Sequence, residues 1–348
     1  METKKMRSVV LMLVLVLIMG LFSACGGGGS ESEGEDPSDQ AQEPVVLKLA
    51  HSLSEKSAVH QGYVKFGELL EERTDGRYTV VLYPNSQLGT DNDIAEAVQI
   101  GSVDIVNFTT STTANYSPIY YCFDVPFAFP DHDYYDSIVR GDLKEDLVTA
   151  IERDMSNVKY LDLWERGYRV LTSDIEINKP EDMVGFRMRI LENALHQGYW
   201  SMVGADPATL SFSDVYVALQ QNAMQGQDNP PATIYDQNFH EVQNYLVMTN
   251  HIMNTASVIM NANTFNAMDP ADQEILMECI TEAGEYQDGI VRGLNEQNVL
   301  DMEADGITVI YPDTKGWMDI AAQYRETLYD KYPDAMAFLD KCDAELGN

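Results

Sequence analysis

Positive charge is what this chain has least of. Its 348 residues hold 22 Lys plus Arg against 56 Asp plus Glu, a formal net charge of −34. So acidic a surface repels a phosphate backbone, which excludes nucleic acid as a partner. Cysteine is scarce too, with Cys25, Cys122, Cys279 and Cys342 only. No pair has zinc-finger spacing, and an odd number remains once Cys25 is set aside, so no full disulfide framework is built. A Cys279–Cys342 bridge stays open, because spacing does not say whether their Cα atoms meet. Cys122, between Tyr121 and Phe123, reads as a small core hydrophobe. The six histidines form no HExxH: after His240-Glu241 the second position falls on Asn244. No Gly-x-Ser-x-Gly elbow occurs. Acid pairs are too many for any two to be singled out as a glycosidase pair. No metal, cofactor or catalytic motif is left, so an exported enzyme is the weaker class.

Long apolar runs are nearly absent as well. The one that exists, residues 9–22, falls short of the roughly 20 residues of a bilayer span and suits a signal h-region. Lys4, Lys5 and Arg7 precede it, and Ser23-Ala24-Cys25 follows it like the cleavage signal of a bacterial lipoprotein. Residues 1–24 therefore read as a lipoprotein signal peptide, with Cys25 as the lipidated residue. An ordinary secretory signal with an incidental cysteine is the alternative. Residues 25–44 are Gly-, Ser- and Glu-rich and predict a disordered acidic linker. Its reach is on the order of 25 Å. This places the folded part, residues 45–348, at the outer face of the cytoplasmic membrane, lipid-anchored.

In the folded part, strands alternate with helices. Residues 45–50 predict a strand. Ser54 can cap a helix carrying Val59, Tyr63, Phe66 and Leu70 at helical spacing. Residues 77–83 predict a second strand. Thr90 caps a second helix that Gly101 ends, and residues 103–108 predict a third strand. The alternation predicts a parallel α/β sheet. In such sheets ligands bind beyond the carboxyl ends of the strands. His51, Ser52, Thr109 and Thr110 stand there, as cleft contacts or as ordinary loop and cap residues. Residues 160–164 predict another strand, leading into Glu165-Arg166-Gly167-Tyr168-Arg169. Asp269-Pro270 starts a helix with no breaker before Gly306. About 35 residues at 1.5 Å each make roughly 52 Å. A coiled coil, two helices broken near Gly284 or Gly289, and one strut are all open on this pattern.

Residues 185–230 hold the densest signal. Phe186, Met188 and Ile190 alternate with Arg187 and Arg189, a strand with an apolar face and an arginine face. Guanidinium groups resist burial without a partner. The pair is either solvated among the many acids or aimed into a cleft. Ser211 or Ser213 caps a helix carrying Val215 and Leu219, with Phe212 at its start, where it can wall a pocket.

Four runs carry a family resemblance: Phe186-Arg187-Met188-Arg189-Ile190, Val203-Gly204-Ala205-Asp206-Pro207, residues 212–220, and Gly226-Gln227-Asp228-Asn229-Pro230. In this order they resemble the DctP-type solute-binding proteins of TRAP transporters. Glu241-Val242-Gln243-Asn244-Tyr245-Leu246 fits the same family. Leu191 and Ala194 stand where the family often has proline, and Gln225 and Asp228 where it often has Asp and Glu. The resemblance implies a two-lobed, periplasmic-binding-protein-like α/β fold with one long helix crossing both lobes. One lobe is then about 45–166 and 255–294, the other about 167–254 and 295–348. It implies capture of a small organic anion between the lobes and delivery to a permease driven by an ion gradient. A binding lipoprotein of an ABC-type importer is the alternative. Arg169 and Arg189 lie 20 residues apart, and Arg189 and Asn229 lie 40 apart, which are the family's cleft intervals. The resemblance implies that Arg189 forks a ligand carboxylate. Arg169 takes a second oxygen or forms a structural ion pair, and Asn229 adds an amide. Phe212 covers apolar ligand atoms; Trp164 does the same or packs in the core.

Overall fold

The structure, a computed structural model, describes residues 43–347; the signal segment, Cys25 and the linker as far as Gln42 lie outside the described residues. Among the described residues, nine strands join in one sheet. They are β1 Val45–His51, β2 Tyr78–Tyr83, β3 Ile105–Thr109, β4 Val158–Ser173, β5 Arg187–Ile190, β6 Asp206–Thr209, β7 Gly226–Asn229, β8 Tyr245–Asn261 and β9 Thr308–Ile310. The sheet order is β2-β1-β3-β8-β4-β7-β5-β6, with β9 beside β8. β1 pairs in parallel with β2 and β3, as the alternation predicts. The sheet as a whole is mixed rather than parallel. The cause is β8, which returns from the far part of the chain and enters antiparallel between β3 and β4.

β4 and β8 are the two long strands, and both are buried almost throughout. Their runs of Leu, Val, Ile, Met and Thr fit a ladder covered on both faces. One end of β8 pairs with β3 and the other with β9, while the far end of β4 pairs with β7. The two strands thus pass through both halves of the sheet. Their ladder breaks midway: Glu165 pairs with Thr255 and Gly167 with Asn254, so Arg166 is the extra residue of a bulge. Gly167 has φ +96, a left-handed conformation that favours glycine.

The long helix is Pro270–Ala304, 35 residues without interruption, which settles the three readings in favour of one strut. Leu276, Ile280 and Ala283 pack in one core with Tyr63, Phe66 and Trp164. Val299 and Met302 pack in another with Val170, Val215 and Leu246. Gly284 permits the close approach, since a Cβ there would sit 2.6 Å from Trp164 Nε1. Polar bonds fix the strut at the bulge. Asp288 accepts the Glu165 backbone N–H at 2.9 Å, Gln287 donates to the Glu165 carbonyl at 2.9 Å, and Asn295 donates to the Arg166 carbonyl at 3.1 Å. Among the described residues, no helix is long and apolar enough to cross a membrane.

Some local expectations change. Ser57, not Ser54, caps the helix Ala58–Arg73, because Ser54 Oγ donates to Asp236 Oδ1 at 2.5 Å. Thr90 caps the helix Asp91–Ile100 in a capping box with Asp93, and Gly101 ends it in the left-handed region, both as expected. Neither Ser211 nor Ser213 caps a helix. Both bond near Asp214, and a short 3-10 turn, Phe212–Asp214, precedes the helix Val215–Gln220. Cys122, Cys279 and Cys342 are buried and free, so no Cys279–Cys342 bridge forms.

Candidate functional site

The arginine strand divides its two cations. Arg187 is exposed and donates to the Asn222 carbonyl at 3.0 Å. Arg189, two residues on, is 1% exposed. Its Nε and Nη2 both donate to the Leu210 carbonyl, at 3.0 and 2.7 Å. That carbonyl takes up one edge of the fork and fixes the guanidinium plane. Nη1 is buried without a hydrogen-bond partner among the described residues. Burial and the neighbouring Arg169 charge push the Arg189 guanidinium down to about 10, so it stays cationic at neutral pH. It lines a cavity of about 260 Å³ together with Ser52, Asp91, Thr112 and the half-buried Phe212.

Arg169 lies behind it in a buried ion pair. Its Nε meets Asp228 Oδ2 at 2.6 Å, its Nη2 meets Oδ1 at 3.1 Å, and Nη2 also donates to the Asp228 carbonyl. His251 Nε2 lies 3.1 Å from the same carboxylate. Burial alone would raise the Asp228 carboxyl. The Arg169 charge and the His251 bond outweigh it and hold Asp228 well below the usual carboxylate range. Arg169 is therefore structural at two of its nitrogens, and only Nη1 is a buried donor without a partner among the described residues. Asn229 is buried at the end of β7, opposite Val170 on β4, and donates to Gln227 Oε1 at 2.5 Å.

Three other expected contacts stand back from this cavity. Trp164 is fully buried, stacks on Tyr63 at 4.3 Å between ring centroids and donates to Asp162 at 3.1 Å. It is a core residue, since the strut closes over it. His51 turns inward to His60 at 3.1 Å. Burial, with the charges of His60 and Arg166, pushes its imidazole down to about 3, so it is neutral. Thr109 is buried and caps the short helix Thr110–Ala114; the following Ser111 and Thr112 reach the cavity instead. Ser52 does line it.

Two charged residues join the site that sequence reasoning did not single out. Asp91, at the start of its helix, lines the cavity beside Arg189. Arg166 is buried, with Nη2 on Asn107 Oδ1 at 2.5 Å and Nε without a partner among the described residues. It lines a second cavity of about 370 Å³, and the charges of Asp91 and Arg169 act on it. A strict two-residue alternation puts Arg166 and Arg169 on opposite faces; the bulge undoes that count. The signal in the sequence was Gly167 inside a strand, which marks a bulge. Arg189 is thus the buried cation of the first cavity with no carboxylate bonded to it among the described residues, an arrangement that receives an anion. Among the described residues, no group of three His, Cys, Asp or Glu is placed to hold a metal ion.

Comparisons with known proteins place the chain in a family. Residues 49–332 match the family DctP, bacterial extracellular solute-binding protein, family 7. A solute-binding protein of Roseobacter denitrificans is 33% identical over 78% of this chain and 83% of its own length. The C4-dicarboxylate-binding periplasmic protein DctP of Rhodobacter capsulatus is 30% identical over 76% of this chain and 80% of its own. A solved TRAP periplasmic solute-binding protein from Roseobacter denitrificans, with bound L-galactonate, superposes with a TM-score of 0.80 at 30% identity. That match covers 86% of this chain and 99% of the other.

Proposed function

The chain belongs to the DctP family of bacterial extracellular solute-binding proteins, and from that premise we propose that it captures a small organic anion at Arg189 for a TRAP-type permease. The family consists of binding proteins rather than enzymes, and the TRAP relatives favour this transporter over an ABC-type importer. The Rhodobacter relative is named for C4-dicarboxylates and the solved Roseobacter protein holds a sugar acid. Small carboxylates are the ligand class here.

The observation that carries the reading is the Arg189 guanidinium, buried, fixed by the Leu210 carbonyl, at the wall of a cavity and with Nη1 lacking a partner among the described residues. A carboxylate oxygen at Nη1 makes a charge-assisted hydrogen bond in a dry site. Phe212 covers apolar ligand atoms, and Ser52 supplies a hydroxyl. Arg169 Nη1 and the Asn229 amide stand behind as further polar partners. His51 and Thr109 act by holding their neighbours.

Two lobes close over the ligand, about 45–166 with 255–294 and about 167–254 with 295–348. The β4–β8 bulge supports these boundaries, since 166/167 and 254/255 face each other there. Cys25 is lipidated, and the linker after it holds the receptor at the outer face of the cytoplasmic membrane. The permease runs on an ion gradient rather than ATP.

A thermal-shift screen of organic acids identifies the ligand, and calorimetry on Arg189→Lys tests the site. Lysine keeps the charge but cannot bond Leu210 and the ligand with one planar group. Loss of one or two charge-assisted bonds weakens binding roughly 10- to 100-fold or more. Wild-type affinity in a folded Arg189→Lys protein removes Arg189 from the site. Hits only among neutral sugars or cations overturn the organic-anion reading.

A further inference from the structure

Resting on the reading that a ligand carboxylate sits at Arg189, we propose that Asp91 fixes the ligand's charge: the site takes a singly charged hydroxy acid, of the aldonate or uronate kind, and rejects dicarboxylates. Asp91 and Arg189 line the same cavity. Asp91 Oδ2 accepts the Thr109 backbone N–H at 3.4 Å. Asp91 Oδ1 is buried and has no hydrogen-bond partner among the described residues. A carboxylate oxygen only accepts, so it calls for a donor on the ligand. A ligand hydroxyl is such a donor, whereas a second ligand carboxylate is not.

The charge count points the same way. Arg166, Arg169 and Arg189 are buried together, and the charges of Arg169 and Asp91 act on both of the others. Asp228 and Asp91 oppose these three cations. The two buried histidines of the cluster, His51 and His251, are both pushed down by burial and add no charge. The balance is one positive charge. One ligand carboxylate neutralises it. Two leave a net negative charge in a dry site, which costs more than the added contact returns. The rim opposes a second carboxylate further. Glu192 is exposed there and accepts from Asn92 Nδ2 at 2.9 Å. Much of the remaining wall is hydroxyl, from Ser86, Thr112, Thr209 and Ser211, and suits a polyol body without adding charge.

The test uses ligand pairs that share a carbon skeleton and differ in one end, alcohol or carboxylate: erythronate with meso-tartrate, threonate with tartrate, and galactonate with galactarate. Calorimetry is run on the wild type, Asp91→Asn and Arg189→Lys, with thermal melts to confirm folding. The wild type should bind the monoacid of at least one pair about tenfold or more tightly than its diacid, since like charges set side by side in a binding site are strongly disfavoured. Asp91→Asn should weaken the monoacid and strengthen the diacid, so that the ratio narrows about tenfold or inverts. Arg189→Lys should weaken both. A wild type that prefers diacids overturns the proposal, as does an unchanged ratio in Asp91→Asn or a failure of every pair to bind. Arg189→Lys binding like the wild type defeats the underlying site instead. If Asp91→Asn does not fold, the wild-type ranking within the pairs still decides.

Discussion

Replacing Asp228 with asparagine keeps the shape of the site and removes the counter-charge of Arg169. Asp228 is fully buried and Arg169 is 1% exposed, so water cannot take over the role. Breaking one side of a buried pair costs about 3–5 kcal/mol. The amide oxygen still accepts one bond, and the Asp228 backbone carbonyl still accepts from Nη2. The expected loss is therefore at the lower end, about 3 kcal/mol. With an unfolding entropy of about 2.1 cal/mol/K per residue over roughly 300 folded residues, each kcal/mol shifts the melting point by about 1.5 °C, so Tm should fall by about 4–5 °C. The pH dependence has a definite sign. The folded carboxyl titrates well below its unfolded value of about 3.9. Its stabilisation is fully present above that value and is lost as pH falls through the folded one. The Tm gap between wild type and Asp228→Asn should stay flat from about pH 8 to about pH 5 and shrink below about pH 4. Scanning calorimetry across that range reads both effects. A Tm change below about 2 °C would refute the claim that Asp228 holds the Arg169 charge, and so would a gap that keeps its size at the acid end.

Other outcomes follow from the bulge and the leader. Gly167→Ala puts a Cβ 2.0 Å from Asn295 Nδ2 at φ +96. Asn295 must then release the Arg166 carbonyl and the Ala232 N–H. The expected loss is about 2–4 kcal/mol, seen as a lower denaturant midpoint at an unchanged slope; an unchanged midpoint counts against the strut's bonds at the bulge. Cys25→Ser should abolish fatty-acid labelling and release the protein from membranes, and unchanged labelling rules Cys25 out as the acceptor.

The sequence carried the start and reach of the long helix, the arginine strand and the first three strands, because each rests on local periodicity or capping; that the helix is one strut followed only from the family resemblance. Asp269-Pro270 and the unbroken run to Gly306 are chemistry that a reader can count. Sheet order was not legible, since β8 pairs with β4 across about a hundred residues of chain, from Val158 to Asn261. Trp164 was ambiguous for a physical reason: a large aromatic beside a cleft strand suits a pocket wall or a core equally, and only the glycine opposite it on the strut decides. Asp91 reads as an ordinary helix-start acid, and its orphan oxygen appears only once the cavity is formed. Arg169 kept two readings until its partner was seen. Asp228, noted as a departure from the family's usual residue, is that partner.

The two long strands also have a kinetic meaning. β4 and β8 are paired along most of their lengths, and neither half of the sheet owns either strand. Losing the ladder in one half would bare the strand edges of the other, so a state with one half folded gains little. The halves should therefore unfold together. Assembly must also wait. The longer partner of β4, β8, is made after β5, β6 and β7, and closing so long a loop before any contact forms is slow. A chain of this topology stays open longer after synthesis than a bundle of the same size, with its apolar strands β4 and β8 exposed until they meet.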